Sequence, residues 1–83
     1  MKGDKPTIDL NFKKAWLIKG NHRIELERFG TTVVVWEYGG DVLPENLELK
    51  GLYEILEFIR HFYYNLNYNF AVEKPLYDQT TGG

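Results

Sequence analysis

The chain has 83 residues, no cysteine, and ten basic against twelve acidic residues, which give a formal net charge of −2. The absence of cysteine excludes disulfides, zinc fingers and thiol catalysis, and it fits a reducing compartment. The near-neutral charge provides no general attraction to nucleic acid or to a membrane surface. No apolar run is long enough to span a bilayer, so we expect a cytoplasmic protein that makes no membrane contact.

Length and composition predict one small domain over residues 1–83, with a core from about 7 to 70 and flexible ends at 1–6 and 78–83. Such a short chain buries only about 60–65% of its surface on folding. A partner subunit is therefore the expected source of further stability. Aromatic residues make up 16% of the chain and supply bulky side chains for a packed core.

The first predicted strand begins near Thr7, where apolar and polar residues alternate over residues 8–12. Alternation with a period of two is typical of a half-buried strand. The pattern resumes over residues 16–18 after an interruption at Lys14. Lys13-Lys14 is therefore either a bulge or a break between two short strands.

Two turn signals, Gly20-Asn21 and Gly30-Thr31, separate this strand from two further alternating segments;. The clearest strand covers residues 32–38, where four consecutive apolar residues are β-branched or aromatic. These three segments predict a β-meander.

Both faces of the meander are predicted to be partly apolar. If each loop has three residues, Trp16, Leu26 and Trp36 form one row across a face. Smaller apolar side chains occupy the opposite face, namely those of Ala15, Leu17, Val33 and Val35. A sheet that is apolar on both faces needs cover on both faces.

After a turn near Pro44, the sequence predicts a helix from about Leu49 or Gly51 to about Tyr68. At about 100° per residue, eight large apolar side chains fall on an arc of about 160°. They are Leu52, Ile55, Leu56, Phe58, Ile59, Phe62, Tyr63 and Leu66. This arc is wider than the stripe a helix usually buries on a small sheet. We therefore expect apolar surface to remain for a partner, and an arm or a short edge strand to follow Tyr68.

The predicted fold class is α+β: a three- to four-stranded antiparallel β-meander followed by one C-terminal amphipathic helix packed on the sheet. The residue pattern predicts no catalytic, cofactor or metal site. His22 and His61 are the two histidines, and neither has carboxylates at ligand spacing. His22 is expected to be solvated in a turn, and Glu57 is expected to pair on the helix surface with residues one turn away.

The predicted partner-binding residues lie on the helix: Tyr53, Phe58, Arg60, Phe62 and Tyr64. Phe58 and Phe62 lie at the edge of the apolar arc, and the other three form a polar-aromatic strip beside it. Tyrosine and phenylalanine around an arginine are typical of protein-protein contact surfaces. We therefore interpret the chain as a non-catalytic protein-interaction or regulatory module, a homo-oligomer that binds and occludes a partner.

Two alternative functions remain open. Aromatic side chains on the sheet could stack on single-stranded nucleic acid, with four basic residues nearby, Lys13, Lys14, Lys19 and Arg23, although neighbouring glutamates would repel phosphates. The ending Gly82-Gly83 is what a ubiquitin-like modifier requires, although the predicted helix does not follow the first hairpin as it does in a β-grasp. By size alone, the chain is of the kind found among inhibitors, adaptors and phage or mobile-element accessory proteins.

Overall fold

The computed structural model describes residues 8–73 of the chain. The strands in this range are β1 (Lys14–Lys19), β2 (His22–Phe29), β3 (Thr32–Tyr38), β4 (Glu48–Lys50) and β5 (Asn69–Glu73). The helix α1 (Leu52–Arg60) is extended by a π-helical turn over His61–Asn65. The predicted flexible ends at 1–6 and 78–83, and Gly82-Gly83 with them, lie outside the described residues.

The five strands form one antiparallel sheet in the order β4-β3-β2-β1-β5. The predicted α+β class, with a meander followed by a helix that contacts the sheet, is confirmed. Two further strands extend the meander: β5 pairs with β1 at one edge, and β4 pairs with β3 at the other. Leu49 belongs to β4, so the helix begins only after Gly51, the later of the two predicted starts.

The two loops of the meander contain two residues each rather than three. Glu25 therefore pairs with Trp16 on one side and with Trp36 on the other. The predicted row of Trp16, Leu26 and Trp36 is wrong. Because side chains alternate along a strand, a one-residue change in loop length turns Leu26 and Ile24 to the other face, where both are fully buried.

The segment before β1 is not a strand, contrary to its alternating pattern. The Arg28 side chain donates hydrogen bonds to the carbonyl oxygens of Leu10 and Phe12, so these acceptors are satisfied without a neighbouring strand. The Arg28 guanidinium also lies 5.0 Å from the centre of the Phe12 ring, and Phe12 is only 2% exposed. The chain bends at Lys13, and β1 starts immediately afterwards.

One face of the sheet carries the core. The helix contributes Ile55, Ile59 and Phe62 to it, whereas Leu52 and Leu66, the first and last residues of the predicted apolar set along the chain, are exposed. The remaining buried hydrophobic residues are Phe12, Ala15, Leu17, Ile24, Leu26, Val33, Val35 and Leu49. The segment before β1 and the loop between β3 and β4 pack against the same core. The chain itself therefore covers part of the apolar surface that was expected to remain for a partner.

The opposite face of the sheet is not covered by the helix, which packs on the core face. We call it the open face. Its side chains on the three central strands are those of Lys14, Trp16, Ile18, Arg23, Glu25, Glu27, Phe29, Thr32, Val34, Trp36 and Tyr38. No helix between residues 8 and 73 is long and apolar enough to cross a membrane.

Candidate functional site

The open face has a row of three paired residues at its centre. Trp16 and Trp36 lie on either side of Glu25, each as its direct cross-strand neighbour. The Trp16 indole Nε1 donates a hydrogen bond to Glu25 Oε1 at 3.3 Å, which holds the Trp16 ring beside the carboxylate. Trp36, Tyr38 and Phe29 remain 47%, 50% and 57% exposed. Three large aromatic rings are thus left in contact with solvent on one surface.

The central strand β2 gives the open face an acidic centre. Glu25 forms an ion pair with Lys14, with 3.8 Å between Lys14 Nζ and Glu25 Oε2. For Glu27, the next residue on the same face, no basic side chain among residues 8–73 is within ion-pair distance. Arg23, Glu25 and Glu27 form a charged stripe along β2 on this face. Arg23 lines a hollow of about 400 Å³ together with Ile18 and Tyr38. The stripe is therefore mixed in charge but acidic at its middle.

A polar cluster lies at the edge of the core face, where the sequence predicted a solvated histidine. His22 Nδ1 is 2.5 Å from the Tyr68 hydroxyl, and His22 Nε2 is 2.6 Å from Glu37 Oε2. The side chains of His22 and Glu37 are only 15% and 11% exposed. The prediction of a solvated His22 is therefore wrong. We call these three residues the Glu37–His22–Tyr68 array.

Glu37 binds the loop after β3 as well as His22. Its Oε1 accepts the Leu43 N–H at 2.9 Å and its Oε2 accepts the Val42 N–H at 3.0 Å. Burial by itself would raise the pKa of Glu37, but these backbone bonds and His22 favour the charged form and hold the pKa below its ordinary value. Glu37 therefore carries its charge at neutral pH and ties β3, the loop and β2 together.

Two glycines make room for the array. A side chain at Gly40 would place its Cβ 2.5 Å from His22 Cδ2, well inside van der Waals contact. At Gly39, φ is +77° and a Cβ would lie 2.0 Å from the Asn21 carbonyl oxygen. Only glycine combines this conformation with such a close backbone approach. The Gly39-Gly40 pair, which follows directly after β3, thus also shapes the surroundings of His22.

The hydrogen bonds of the array connect three parts of the fold. Ionised Glu37 can only accept, so His22 Nε2 donates to it, and His22 Nδ1 forms the bond with the Tyr68 hydroxyl;. Both ring nitrogens of His22 are thus engaged by side chains of the protein itself. The array joins β2, β3 and the segment before β5, which lie far apart in sequence.

The predicted partner-binding residues separate into two groups. The Phe58 and Phe62 rings are 4.9 Å apart and line an apolar hollow of about 510 Å³ with Leu66 and Tyr68. Phe62 is only 7% exposed, so most of its ring belongs to the core and only its rim is accessible. This first group offers a shallow apolar surface at the end of the helix.

The second group lies on the solvent side of the helix. Arg60 pairs with Glu57, with 3.6 Å between Nη1 and Oε2, as their spacing predicted. The Arg60 guanidinium lies 6.0 Å from the centre of the Tyr64 ring, whereas Tyr53 stands apart and is 75% exposed. The structure brings Arg60 and Tyr64 together; their binding role remains a prediction.

The array had one signal in the sequence. Glu37 shares the inward phase of β3 with Val33 and Val35, and His22 shares that of β2 with Ile24. A polar side chain in the inward phase of an apolar strand needs a partner. Tyr68 gave no such signal, because its position depends on where the helix ends. Among residues 8–73, no three histidine or acidic side chains could hold a metal ion.

Comparisons with protein-family models, with curated proteins and with solved structures found no match to this chain.

Proposed function

We propose that the protein is a non-catalytic interaction module that binds another protein through its open face and acts by occluding the surface it covers. The observation that supports this is the set of three large aromatic side chains, Phe29, Trp36 and Tyr38, left about half exposed on one side of a sheet whose other side carries the buried core. Tryptophan and tyrosine dominate the energetic centres of protein interfaces.

The fixed positions of the two tryptophan rings on the open face also favour binding. Trp16 is held by its hydrogen bond to Glu25, and Trp36 lies on β3, which is paired along β2. Side chains presented by a sheet lose less conformational freedom on binding than side chains on a loop. The face is thus prepared for contact before a partner arrives.

Single-stranded nucleic acid is a poorer fit to the same face. Stacking on the two tryptophans is sterically reasonable, but the carboxylates of Glu25 and Glu27 lie between and beside them. Lys14, the nearest cation, is engaged by Glu25. A phosphate backbone would therefore meet negative charge at the centre of the surface.

Self-association remains part of the proposal, and we expect it to use the helix side. A two-fold axis through the centre of the open face would bring Glu25 and Glu27 of one copy against the same residues of the other, because such contacts are isologous. Leu52 and Tyr53, which are 61% and 75% exposed at the start of α1, carry no such like-charge conflict. Light scattering with a Leu52→Ser/Tyr53→Ser variant tests this expectation.

Affinity capture from the native host tests the binding proposal. The bait is the full chain, compared with a Trp36→Ser/Tyr38→Ser variant of the open face and a Tyr53→Ser variant of the helix. Circular dichroism first establishes that all three are folded. A protein retained by the full chain and by Tyr53→Ser, but lost with the open-face variant, supports the proposal. Equal capture by all three baits contradicts it.

A further inference from the structure

We propose that the open face recognises a basic protein segment, and that a lysine or arginine side chain of this segment lies between Trp16 and Trp36 above the Glu25 carboxylate. This inference rests on the proposed function, because it takes the open face as the interaction surface. It adds the chemistry of the partner, which the aromatic side chains alone do not specify.

The spacing of the sheet suits a cation between the two indoles. Trp16 and Trp36 are both paired with Glu25, so their Cα atoms lie two strand spacings apart, roughly 9.6 Å at 4.8 Å per spacing. Cation–π attraction acts within about 6 Å of a ring centre and is strongest for tryptophan. A cationic head group above Glu25 thus has an indole side chain on either side of it.

The floor of this gap has the matching charge. Glu25 lies between the rings, and along β2 it has Glu27 on one side and Arg23 on the other. The Glu25 side chain is 20% exposed and already lies 3.8 Å from the Lys14 ammonium group. This internal contact shows that the carboxylate pairs with a primary ammonium group on the open face.

The aromatic walls also suit the rest of a basic side chain. Lysine and arginine carry apolar stems that pack along apolar surfaces while the charged end stays near water or a carboxylate. Trp36 and Tyr38 provide such a surface along β3. A basic segment laid along β2 would thus bury its stems against aromatic rings and direct its charges to Glu25 and Glu27. A second copy of this chain would instead set carboxylate against carboxylate.

Both tryptophans of the chain, Trp16 and Trp36, lie on this face, so their indole N–H resonances report on it directly. We would titrate the ¹⁵N-labelled full chain with three peptides: Ac-TKTKTKT-NH₂, its glutamine counterpart Ac-TQTQTQT-NH₂ and its glutamate counterpart Ac-TETETET-NH₂. The lysine peptide is expected to shift both indole resonances with a Kd at least about tenfold lower than the glutamine peptide, because only its ammonium groups interact with the rings and the carboxylates.

Two substitutions should weaken binding. Trp36→Leu removes one wall but keeps an apolar side chain, and Glu25→Gln removes the charge but keeps the shape. Each is expected to raise the Kd of the lysine peptide about threefold to tenfold while leaving that of the glutamine peptide unchanged. Raising the salt from 50 to 500 mM should weaken the lysine peptide in the same direction, since exposed charges are screened.

A matched pair of lysine substitutions separates the site from net charge. Lys14→Met frees Glu25 from its internal partner and should tighten the lysine peptide about threefold. Lys13→Met makes the same change in net charge one residue away, at an exposed position, and should have little effect. Equal tightening by both variants would mean that the peptide responds only to overall charge, and it would overturn the inference.

The remaining outcomes are decisive as well. If the lysine and glutamine peptides bind equally, the open face binds extended segments without selecting a cation; the inference fails and the proposed function stands. If no peptide shifts either indole up to 5 mM, a concentration at which a complex with a Kd of about 1 mM would be mostly formed, the inference fails. Affinity capture with the Trp36→Ser/Tyr38→Ser variant then decides the proposed function separately.

Discussion

Replacing Glu37 by glutamine is the most informative test of how the chain holds its array together. Glutamine keeps the size of the side chain and one acceptor oxygen, but its NH₂ group must replace either Oε2, which accepts from His22 and the Val42 amide, or Oε1, which accepts from the Leu43 amide. At least one of these donors loses its acceptor. The hydrogen bonds that remain no longer involve a charge.

The expected loss of stability follows from this count. Hydrogen bonds to a charged group contribute about 1.5–3 kcal/mol, and those between neutral groups about 0.5–1.5 kcal/mol. Val42 is an exposed residue, so water can partly replace the lost acceptor of its amide. We therefore expect Glu37→Gln to lower the free energy of unfolding by about 1.5 kcal/mol. For a domain of this size, that lowers Tm by about 6–12 °C.

The loss of stability in Glu37→Gln should depend on pH in a direction that the native pKa of Glu37 determines. The native pKa of Glu37 is held below its ordinary value, so the carboxylate stabilises the fold fully above the unfolded-state pKa, which is near 4.3. That contribution is lost as the pH falls through the lower native pKa. The difference in Tm between the full chain and Glu37→Gln should thus be largest at pH 7 and should shrink towards about pH 2.5.

Thermal melts followed by circular dichroism at a series of pH values measure this difference. Glu57→Gln is the matched control, because Glu57 forms only an exposed pair with Arg60, and such pairs contribute about 0.5 kcal/mol or less. A Glu37→Gln variant with the Tm of the full chain, or with the same deficit at pH 7 and pH 2.5, would refute the role assigned to the carboxylate.

Three further outcomes are expected from chemical or thermal denaturation. Tyr68→Phe removes the hydroxyl that meets His22 and should cost about 1 kcal/mol; an unchanged stability would mean that this bond contributes nothing. Gly40→Ala forces a Cβ against the His22 ring and should cost about 1–3 kcal/mol, with a shift of the imidazole resonances that a harmless substitution would not produce. Ile59→Ala, at a fully buried position, should cost about 2–4 kcal/mol, whereas Leu52→Ala, at an exposed one, should stay within about 0.5 kcal/mol; similar losses would contradict the assignment of the core.

Local periodicity was sufficient to predict the larger elements. The alternation over β1, β2 and β3 and the wide apolar arc of the helix each depend only on neighbours within one or two turns of chain. They predicted the α+β class, the meander and the helix that follows it. They also predicted that one face of the sheet would keep apolar surface, as Trp36 and Tyr38 now show on the open face.

Loop geometry and side-chain hydrogen bonds decided what periodicity could not. The two-residue loops put Glu25 rather than Leu26 between the tryptophans, and this reversal turned an apparently apolar row into a carboxylate flanked by two indoles. The Arg28 side chain donates hydrogen bonds to the carbonyl oxygens of Leu10 and Phe12. The alternating segment before β1 therefore did not become a strand.

The sequence by itself thus determined which segments alternate between apolar and polar residues and which form a helix, because those patterns depend only on residues that are close together in the chain. Only the tertiary structure decided that positions 22, 37 and 68 meet in one array and that Glu25 lies between Trp16 and Trp36. Both results depend on the register between strands and on the point where the helix ends. Register is set by loop length, and a single residue more or less moves every side chain to the opposite face.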